Sequence, residues 1–228
     1  MKIGTVLLLC FLSINVLALS GKEYLQKINS NYYDLKSYEL ELNYTLYKGH
    51  NGKEIMDEYT SIIRANGLNS HRKIYHDEII STGENTVIIN HEVKTIQVLP
   101  AIETKIFDED IENSLRFCKD VKSRKTENGT LISINFNDYS SIPYAQIDIL
   151  IDADFWVKNM TLYYATQLNY SRDYFNPDMD FPRLEIDYSN LKKKWNDSQG
   201  LTDLSKYVNK EGDNYSPTPL YQNYELIQ

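Results

Sequence analysis

Two carboxylates, Asp152 and Asp154, stand one residue apart in the stretch IDILIDADFWVKNMTLYY, between two apolar runs. Such a pair could bind a metal ion or perform acid–base catalysis. A calcium loop, however, needs more oxygen ligands at fixed spacings and a glycine, and this stretch has neither. Aspartate is also a turn former, because its carboxylate accepts hydrogen bonds from nearby backbone amides. The pattern therefore predicts the turn of a β-hairpin.

The four histidines of the chain do not form a ligand pattern for zinc. His71 and His76 are five residues apart, so on one strand they would project from opposite faces. His50 and His91 fall in predicted turns, and no pair of cysteines supports a tetrahedral zinc site. The sequence therefore predicts no metal and no cofactor.

Motifs for nucleophilic catalysis and phosphate binding are also missing from the sequence. It contains neither G-x-S-x-G nor G-x-G-x-x-G nor a phosphate-binding loop. Four acids alternate along two predicted strands, as they do on solvated strand faces: Glu39, Glu41, Glu185 and Asp187. Paired carboxylates can cut glycosides, so a hydrolase stays open as an alternative. The favoured prediction is a protein that is not an enzyme.

The first twenty residues, MKIGTVLLLCFLSINVLALS, have the pattern of a cleaved export signal. Lys2 precedes a short apolar run, and small residues stand at Ala18 and Ser20, just before the predicted cleavage site. Cys10 lies too early and lacks a small residue before it, so no lipid anchor is expected there. The sequence therefore predicts that residues 1–20 are removed and that the remaining chain is exported.

The chain is acidic, with a net charge of −8 over 228 residues. Removal of Lys2 with the signal leaves 23 basic and 32 acidic residues, a net charge of −9. An acidic chain is a poor partner for nucleic acid or an anionic membrane surface, so neither is expected. The exported chain keeps Cys118 alone, and its core must provide stability without an internal disulfide.

Hydrophobic spacing changes from three and four to two shortly after the signal. The spacing of three, four and three between Leu25 and Leu35 predicts one face of a helix. The stretch SYELELNYTLY then alternates apolar and polar residues, as a half-buried strand does. Asn51-Gly52 and Asn66-Gly67 are strong hairpin turns, so an antiparallel meander is expected to follow.

A second helix is predicted within the stretch FDEDIENSLRFCKDVKSRK. Its apolar residues are spaced by three or four, as on a helix face: Phe107, Ile111, Leu115, Cys118 and Val121. Acidic residues fill the first turn and basic residues the last, which suits the helix dipole. This helix should interrupt the sheet and pack across one of its faces.

Together the elements predict an α+β fold with a curled antiparallel sheet of about eight to ten strands. A long twisted sheet curls and needs one of its faces covered. The two helices would therefore cover the concave face of an open half-barrel. In this interpretation residues 21–228 form a single domain, in which residues 192–228 are an irregular tail rich in tyrosine.

The inner sheet face, rich in leucine and isoleucine, predicts an apolar cavity for a lipid or acyl chain. The same pattern also fits a plain core that the helices seal, and periodicity does not separate the two. The residues that would line the cavity are Leu40, Leu42, Tyr44 and Leu46, with Ile147, Ile149 and Ile151 opposite them.

The order of these elements resembles the periplasmic outer-membrane lipoprotein carriers, the LolA-like family. The stretch YLQKINSNYYDLKSYELELNYTLY, behind an export signal, is similar to the first helix and strand of the family. Gly83 to Val98, with Asn90-His91 at a turn, matches the register of later strands. The hairpin YAQIDILIDADFWVKNMTLYY looks like another family hairpin. As a pattern, the resemblance covers most of the chain after residue 20, through motifs of low specificity.

The resemblance implies an open half-barrel with helices as a lid, without metal or catalysis. It also implies a monomer that binds lipid or lipoprotein acyl chains in the periplasm, and a membrane-associated protein that donates or accepts them. A family arginine that helps to hold the lid corresponds most nearly to Arg64, and next to Arg72.

A second function class stays open beside the carrier. An exported protein-binding or scaffold module of the same fold would use the tyrosine-rich sheet face and the loop at 166–180. The 19 tyrosines of the chain fit this alternative, because tyrosine joins a large apolar ring to a polar hydroxyl at protein interfaces.

Overall fold

The computed structural model describes residues 19–101, 115–137, 142–171, 173, 175–212 and 214–227. No helix in these ranges combines the length and apolar character that are needed to cross a bilayer. The α-helix of these ranges is α1 (Gly21–Tyr33). The strands are β1 (Ser37–Tyr47), β2 (Ile55–Asn66), β3 (Asn69–Ile74), β4 (Asp77–Ser81), β5 (Asn85–Asn90), β6 (Thr95–Pro100), β7 (Cys118–Thr126), β8 (Gly129–Phe136), β9 (Tyr144–Ile151), β10 (Val157–Tyr164), β11 (Leu168–Asn169), β12 (Met179–Asp180), β13 (Arg183–Lys192), β14 (Val208–Glu211), β15 (Asn214–Pro217) and β16 (Glu225–Ile227).

Twelve of the described strands form one sheet in the order β16-β6-β5-β4-β3-β2-β1-β13-β10-β9-β8-β7. All neighbours are antiparallel except β16, which pairs with β6 in parallel. Strands β1 to β6 form the predicted meander, and β13 returns to pair with β1. The edge strands β7 and β16 do not pair with each other in the described chain. The sheet is therefore curled and open, and it is wider than the predicted eight to ten strands.

Helix α1 forms where the spacing of apolar residues predicts it. Ser20 accepts a hydrogen bond from the backbone N–H of Glu23, and the Glu23 carboxylate accepts one from the backbone N–H of Ser20. This capping box satisfies two donors that a helix leaves without partners at its start. The buried residues of the helix are Gly21, Tyr24, Leu25, Ile28 and Tyr32.

The predicted second helix is wrong in its C-terminal part. Residues 118–126, which the helical spacing includes, form strand β7 and pair with β8 through the turn at Asn128-Gly129. The N-terminal part of this prediction, residues 107–114, lies outside the described residues. The two helices of the predicted fold are therefore not confirmed.

A β-bulge explains why this strand looked helical in sequence. The register of β7 shifts between Cys118 and Asp120, so that Cys118 pairs with Phe136 and Val121 with Ile134. Phe136 and Ile134 are two residues apart and share a face, so the extra residue turns Cys118 and Val121 to one side. Both pack against the same apolar cluster. Burial there raises the pKa of the Cys118 thiol.

The C-terminal tail is more regular than the sequence predicts. Short 3-10 turns at Leu204–Lys206 and Pro219–Tyr221 precede and follow the hairpin of β14 and β15. Strand β16 then extends the main sheet at β6. The tail thereby covers one face of β4, β5 and β6.

The described core has three apolar clusters. We name the sheet face that carries α1 the helix face. The first cluster lies there, where α1 packs on the sheet: Tyr24, Leu25, Ile28, Tyr32, Ile132, Ile134, Phe136, Ile149, Ile151 and Val157. The second cluster lies beside it on β1, β2, β10 and β13: Tyr38, Leu40, Leu42, Tyr44, Ile63, Ala65, Leu162, Leu184 and Ile186. The third cluster lies on the opposite face under the tail: Ile80, Val87, Ile89, Ile96, Tyr207, Val208 and Tyr221.

Candidate functional site on the helix face

Cross-strand register connects the first two clusters into one apolar surface. Tyr44 of β1 pairs with Ile186 of β13. Ile186 pairs in turn with Met160 of β10, which pairs with Ile149 of β9. Directly paired residues project from the same face of a sheet. The helix face is therefore continuous from β1 to β9.

The seven residues predicted to line a cavity all lie on the helix face. Four of them belong to the second cluster or contact it: Leu40, Leu42, Tyr44 and Leu46. The other three belong to the first cluster or contact it: Ile147, Ile149 and Ile151. Strands β13 and β10 separate the two groups, so they are neighbours along one sheet and not opposite walls. That they line a cavity stays a prediction.

Helix α1 covers only part of this surface in the described chain. It contacts β7 and β8 and contributes four side chains to the first cluster. The second cluster includes no residue of α1. Ile147 is half-buried and contacts both clusters, so it marks the junction between the part under α1 and the part beyond it.

The side chain of Arg72 places a positive charge on the helix face beside the second cluster. Arg72 of β3 pairs with Ile63 of β2, and Ile63 pairs with Leu40 of β1, so all three share the face. Burial raises the pKa of Tyr44, and the charge and hydrogen bond of Arg72 oppose this rise. The same charge lowers the pKa of three further phenols, against the larger effect of their burial: Tyr38, Tyr59 and Tyr188. Arg72 thus lies within a group of tyrosines.

The two arginines that correspond to the lid-holding arginine lie on opposite faces of the sheet. Arg64 follows Ile63 on β2, and its Nε donates to Oε2 of Glu39 at 2.6 Å on the face opposite α1. Arg72 lies on the helix face instead. A lid-holding role for either residue stays a prediction.

Sequence analysis missed Ser61, which lies beside Arg72 on the helix face. Ser61 is 1% exposed, and its Oγ has no hydrogen-bond partner among the described residues. Ser61 pairs with Ile74 while Arg72 pairs with Ile63, so the serine and the arginine are diagonal neighbours on β2 and β3. The even spacing from Ile63 was the signal that could have placed Ser61 on the buried face.

A pocket of about 290 Å³ opens at β2 and the end of β3, mainly on the face opposite α1. Tyr59 lines it and stacks on Tyr44 with ring centroids 4.7 Å apart. Glu58, Thr60, Ile62 and Lys73 of its lining project from the face opposite α1, so Tyr59 is the residue that connects the pocket with the tyrosines around Arg72. Its lining consists of Glu58, Tyr59, Thr60, Ile62, Lys73 and Tyr75.

The opposite face carries a carboxylate that two histidines hold. Oε1 of Glu78 lies 2.7 Å from Nε2 of His71, and Oε2 lies 3.0 Å from Nε2 of His91. The hydrogen bond to His71, helped by that to His91, holds the pKa of Glu78 below its ordinary value despite burial. Nδ1 of His91 lies 2.9 Å from the hydroxyl of Tyr224. This group connects β3 and β4 with the tail.

Each of the four strand acids considered for a hydrolase has a hydrogen-bonding partner on the face opposite α1. The pairs are Glu39 with Lys192 and Arg64, Glu41 with Asn190, Glu185 with Arg183, and Asp187 with Asn159. The hydrogen bonds from Lys192 and Arg64 keep the pKa of Glu39 below its ordinary value. Glu39, Glu41 and Asp187 are thus engaged across strands, and Glu185 is engaged with Arg183 on the same strand.

The turn predicted for Asp152 and Asp154 is confirmed. Oδ1 of Asp152 accepts hydrogen bonds of 2.9 Å from the backbone N–H groups of Asp154 and Trp156. These bonds close the loop between β9 and β10. In the part of the chain that the structure describes, no group of three or more histidine, cysteine and acidic side chains is placed to hold a metal ion.

We expect Tyr38→Phe to remove one step of alkaline destabilisation. Burial, opposed by Arg72, raises the pKa of Tyr38 from 10.0 to about 12. The folded and the unfolded protein both keep the Tyr38 phenol protonated below pH 10. Its contribution to the free energy of unfolding is therefore complete there and is lost as pH rises through about 12. The wild type should lose about 2 kcal/mol more than the variant across this window. Chemical unfolding at both ends of the window measures the difference, with exposed Tyr33→Phe as the control.

No family model and no curated protein matches the sequence. Solved structures do. A LolA superfamily protein from Nitrosomonas europaea is 11% identical, with 80% of this chain and 97% of that chain covered and a TM-score of 0.33. A putative outer membrane lipoprotein-sorting protein domain from Vibrio parahaemolyticus is 10% identical, with 80% and 96% covered and a TM-score of 0.38. An uncharacterized conserved protein from Thermus thermophilus is 7% identical, with 90% and 97% covered and a TM-score of 0.46.

The structural neighbours of this chain thus include LolA superfamily and lipoprotein-sorting proteins, at low sequence identity.

Proposed function

We propose that this protein is an exported binding protein of the lipoprotein-carrier type, which holds a lipid or a lipoprotein acyl chain without catalysis. The observation that carries the proposal is the continuous apolar surface of the helix face. Helix α1 covers the first cluster, and the second cluster extends the same surface across β13, β1 and β2. A long apolar surface suits a long apolar ligand, because its burial is favourable along the whole length of the chain.

The proposed setting is the periplasm. The pattern of residues 1–20, of which 1–18 lie outside the described residues, supports export by a cleaved signal. The acidic chain would act as a monomer, without nucleic acid, and would receive its ligand from a membrane-associated protein or hand it to one. The strand acids do not enter this proposal, since they are paired on the opposite face.

Native mass spectrometry of the protein, purified after export and exposed to a bacterial lipid extract, tests the proposal. We expect a one-to-one complex with a lipid or an acylated peptide. Failure to capture any acyl compound, together with no binding of hexadecanol in solution, would overturn the proposal.

We expect Ile147→Gln to weaken binding of hexadecanol about tenfold, because an apolar contact is lost and an amide is placed on an apolar surface. Ile147 contacts both clusters of the helix face. The matched control is Asp148→Asn on the next residue, which projects from the opposite face. Equal affinity of wild type and Ile147→Gln, both folded by circular dichroism, would place the ligand elsewhere.

A second candidate function has its own observation. The loop around β11 and β12 exposes several large apolar side chains, and Phe175 is 94% exposed. The others are Leu168, Met179 and Phe181. Exposed aromatic and apolar groups of this kind mark protein-binding surfaces. A carrier requires capture of an acyl chain, whereas a scaffold module would bind a protein through this loop without lipid. Phe175→Ser separates the two functions, because it changes the loop and leaves the helix face intact.

A further inference from the structure

In the described part of the chain, the helix face contains a cation that lacks an anionic partner. Arg72 is half-buried, and no carboxylate of the described residues forms an ion pair with it. Its neighbours are phenols: Tyr38, Tyr44, Tyr59 and Tyr188. Burial keeps these phenols neutral, so they supply no compensating charge. A charge removed from water without a counter-ion is costly.

Two hydrogen-bond donors at this place have no acceptor among the residues that the structure describes. Within the described chain, the Nε of Arg72 and the Oγ of Ser61 are buried without partners. They lie on adjacent strands, on one face, as diagonal neighbours. Most buried donors in proteins are satisfied, so two together indicate an absent acceptor. The charge of Arg72 and the two donors thus indicate the same missing group, an oxyanion.

We propose that Arg72, Ser61 and Tyr44 bind the oxyanion head of a single-chain amphiphile, a carboxylate or a phosphate, whose acyl chain lies on the helix face. This inference rests on the proposed function and names the ligand class of the same site. The guanidinium offers a planar set of donors that matches either group. The hydroxyls of Ser61 and Tyr44 supply neutral donors beside it.

The position of Arg72 fits the head of a ligand whose tail follows the apolar surface. Arg72, Ile63 and Leu40 are direct cross-strand neighbours, so the apolar rows begin next to the cation. From β3 the surface continues over β2, β1, β13 and β10 to β9. Five steps of about 4.8 Å make this path about 24 Å long.

The test compares hexadecanoate with hexadecanol, which share the chain length and differ in the head. Dissociation constants are measured by calorimetry on the exported protein at about pH 8, where the carboxylate is ionised. The wild type should bind hexadecanoate about tenfold more tightly, as a charge-assisted hydrogen bond allows. Arg72→Gln should lose this preference and keep its affinity for hexadecanol. Arg72→Lys should retain part of the preference, and Ser61→Ala should reduce it by less than Arg72→Gln does.

Lys73→Gln is the matched control. It removes one positive charge from the neighbouring residue, which is exposed and projects from the opposite face, so it should leave the preference intact. A preference that falls equally in Lys73→Gln and Arg72→Gln would reflect net charge and overturn the site.

The remaining outcomes separate this inference from the proposed function. If the wild type binds both ligands equally, or Arg72→Gln keeps the preference, the head-group site is wrong and the carrier proposal stands. If neither ligand binds, both fail. Inorganic phosphate should not displace hexadecanoate at equal concentration. Displacement by phosphate that depends on Arg72 would show a site for free anions and would overturn the amphiphile.

Discussion

Replacing Gly129 by alanine is expected to lower the free energy of unfolding by about 4 kcal/mol. Gly129 has a φ of +143°, a conformation that side chains with a Cβ rarely adopt. A Cβ atom there would lie 2.0 Å from the carbonyl oxygen of Ile151. Because this oxygen belongs to the backbone, relief requires that β8 and β9 move apart beneath the first cluster. Chemical unfolding of Gly129→Ala, followed by tryptophan fluorescence, measures the loss.

The matched control is Gly67→Ala, at the second Asn-Gly turn. Gly67 also has a positive φ, +62°, but a Cβ there would meet no described atom within 4 Å. Its replacement should cost about 1 kcal/mol, through backbone conformation alone. If both variants lose the same amount, the contact with Ile151 is not the cause, and the interpretation of Gly129 as a point of close strand approach is wrong.

Local periodicity predicted the elements that bury one regular face. Alternation in β1 and the three-and-four spacing in α1 reflect burial directly. Side chains that face the core recur every second residue in a strand and every three to four residues in a helix. The turns at Asn51-Gly52 and Asn66-Gly67 were predicted for a similar reason, since few dipeptides adopt tight hairpins. These features depend on neighbours within a few residues.

Strand β7 shows where such reasoning fails. A bulge between Cys118 and Asp120 adds a residue to the strand and changes an alternation of two into a spacing of three. The acidic start and basic end of the segment then matched a helix as well. The decisive factor was the partner β8, whose pairing with β7 depends on long-range register and not on the spacing within β7 itself.

The sequence pattern also could not predict which polar groups meet on the two sheet faces. Ser61 and Arg72 become neighbours only through the pairing of β2 with β3. His91 contacts Glu78 with Nε2, and with Nδ1 it contacts Tyr224 of the tail, 133 residues further along the chain. Alternation could assign each of these residues to a face. It could not state which of them meet, because that follows from register and from the path of the tail.

The carboxylate of Glu78 should be among the most stabilising polar groups of the molecule. Its two oxygens lie within hydrogen-bond distance of His71 and His91, and its side chain is 14% exposed. Glu78→Leu removes both bonds and leaves His71, 4% exposed, without its partner. We therefore expect a loss of about 3 kcal/mol in the free energy of unfolding. Glu78→Gln keeps some hydrogen bonding and should lose about half as much.

The control for Glu78 is Glu92→Gln. Glu92 approaches His76 only to 4.0 Å, and both side chains are well exposed, so its replacement should change stability by less than about 0.5 kcal/mol. Similar losses in Glu78→Leu and Glu92→Gln would mean that the histidine–carboxylate group does not stabilise the fold.

The effect of Glu78 should also depend on pH with a definite sign. The pKa of Glu78 in the folded protein lies below its ordinary value of 4.5, chiefly because of the hydrogen bond to His71. The contribution of this carboxylate is therefore complete above pH 4.5 and is lost as pH falls through the folded pKa. The stability gap between the wild type and Glu78→Leu should narrow in acid.

Because His91 also contacts Tyr224 of the tail, limited proteolysis of Glu78→Leu at neutral pH should cut the tail before the sheet. A gap that widens in acid, or a tail that stays resistant, would contradict this role.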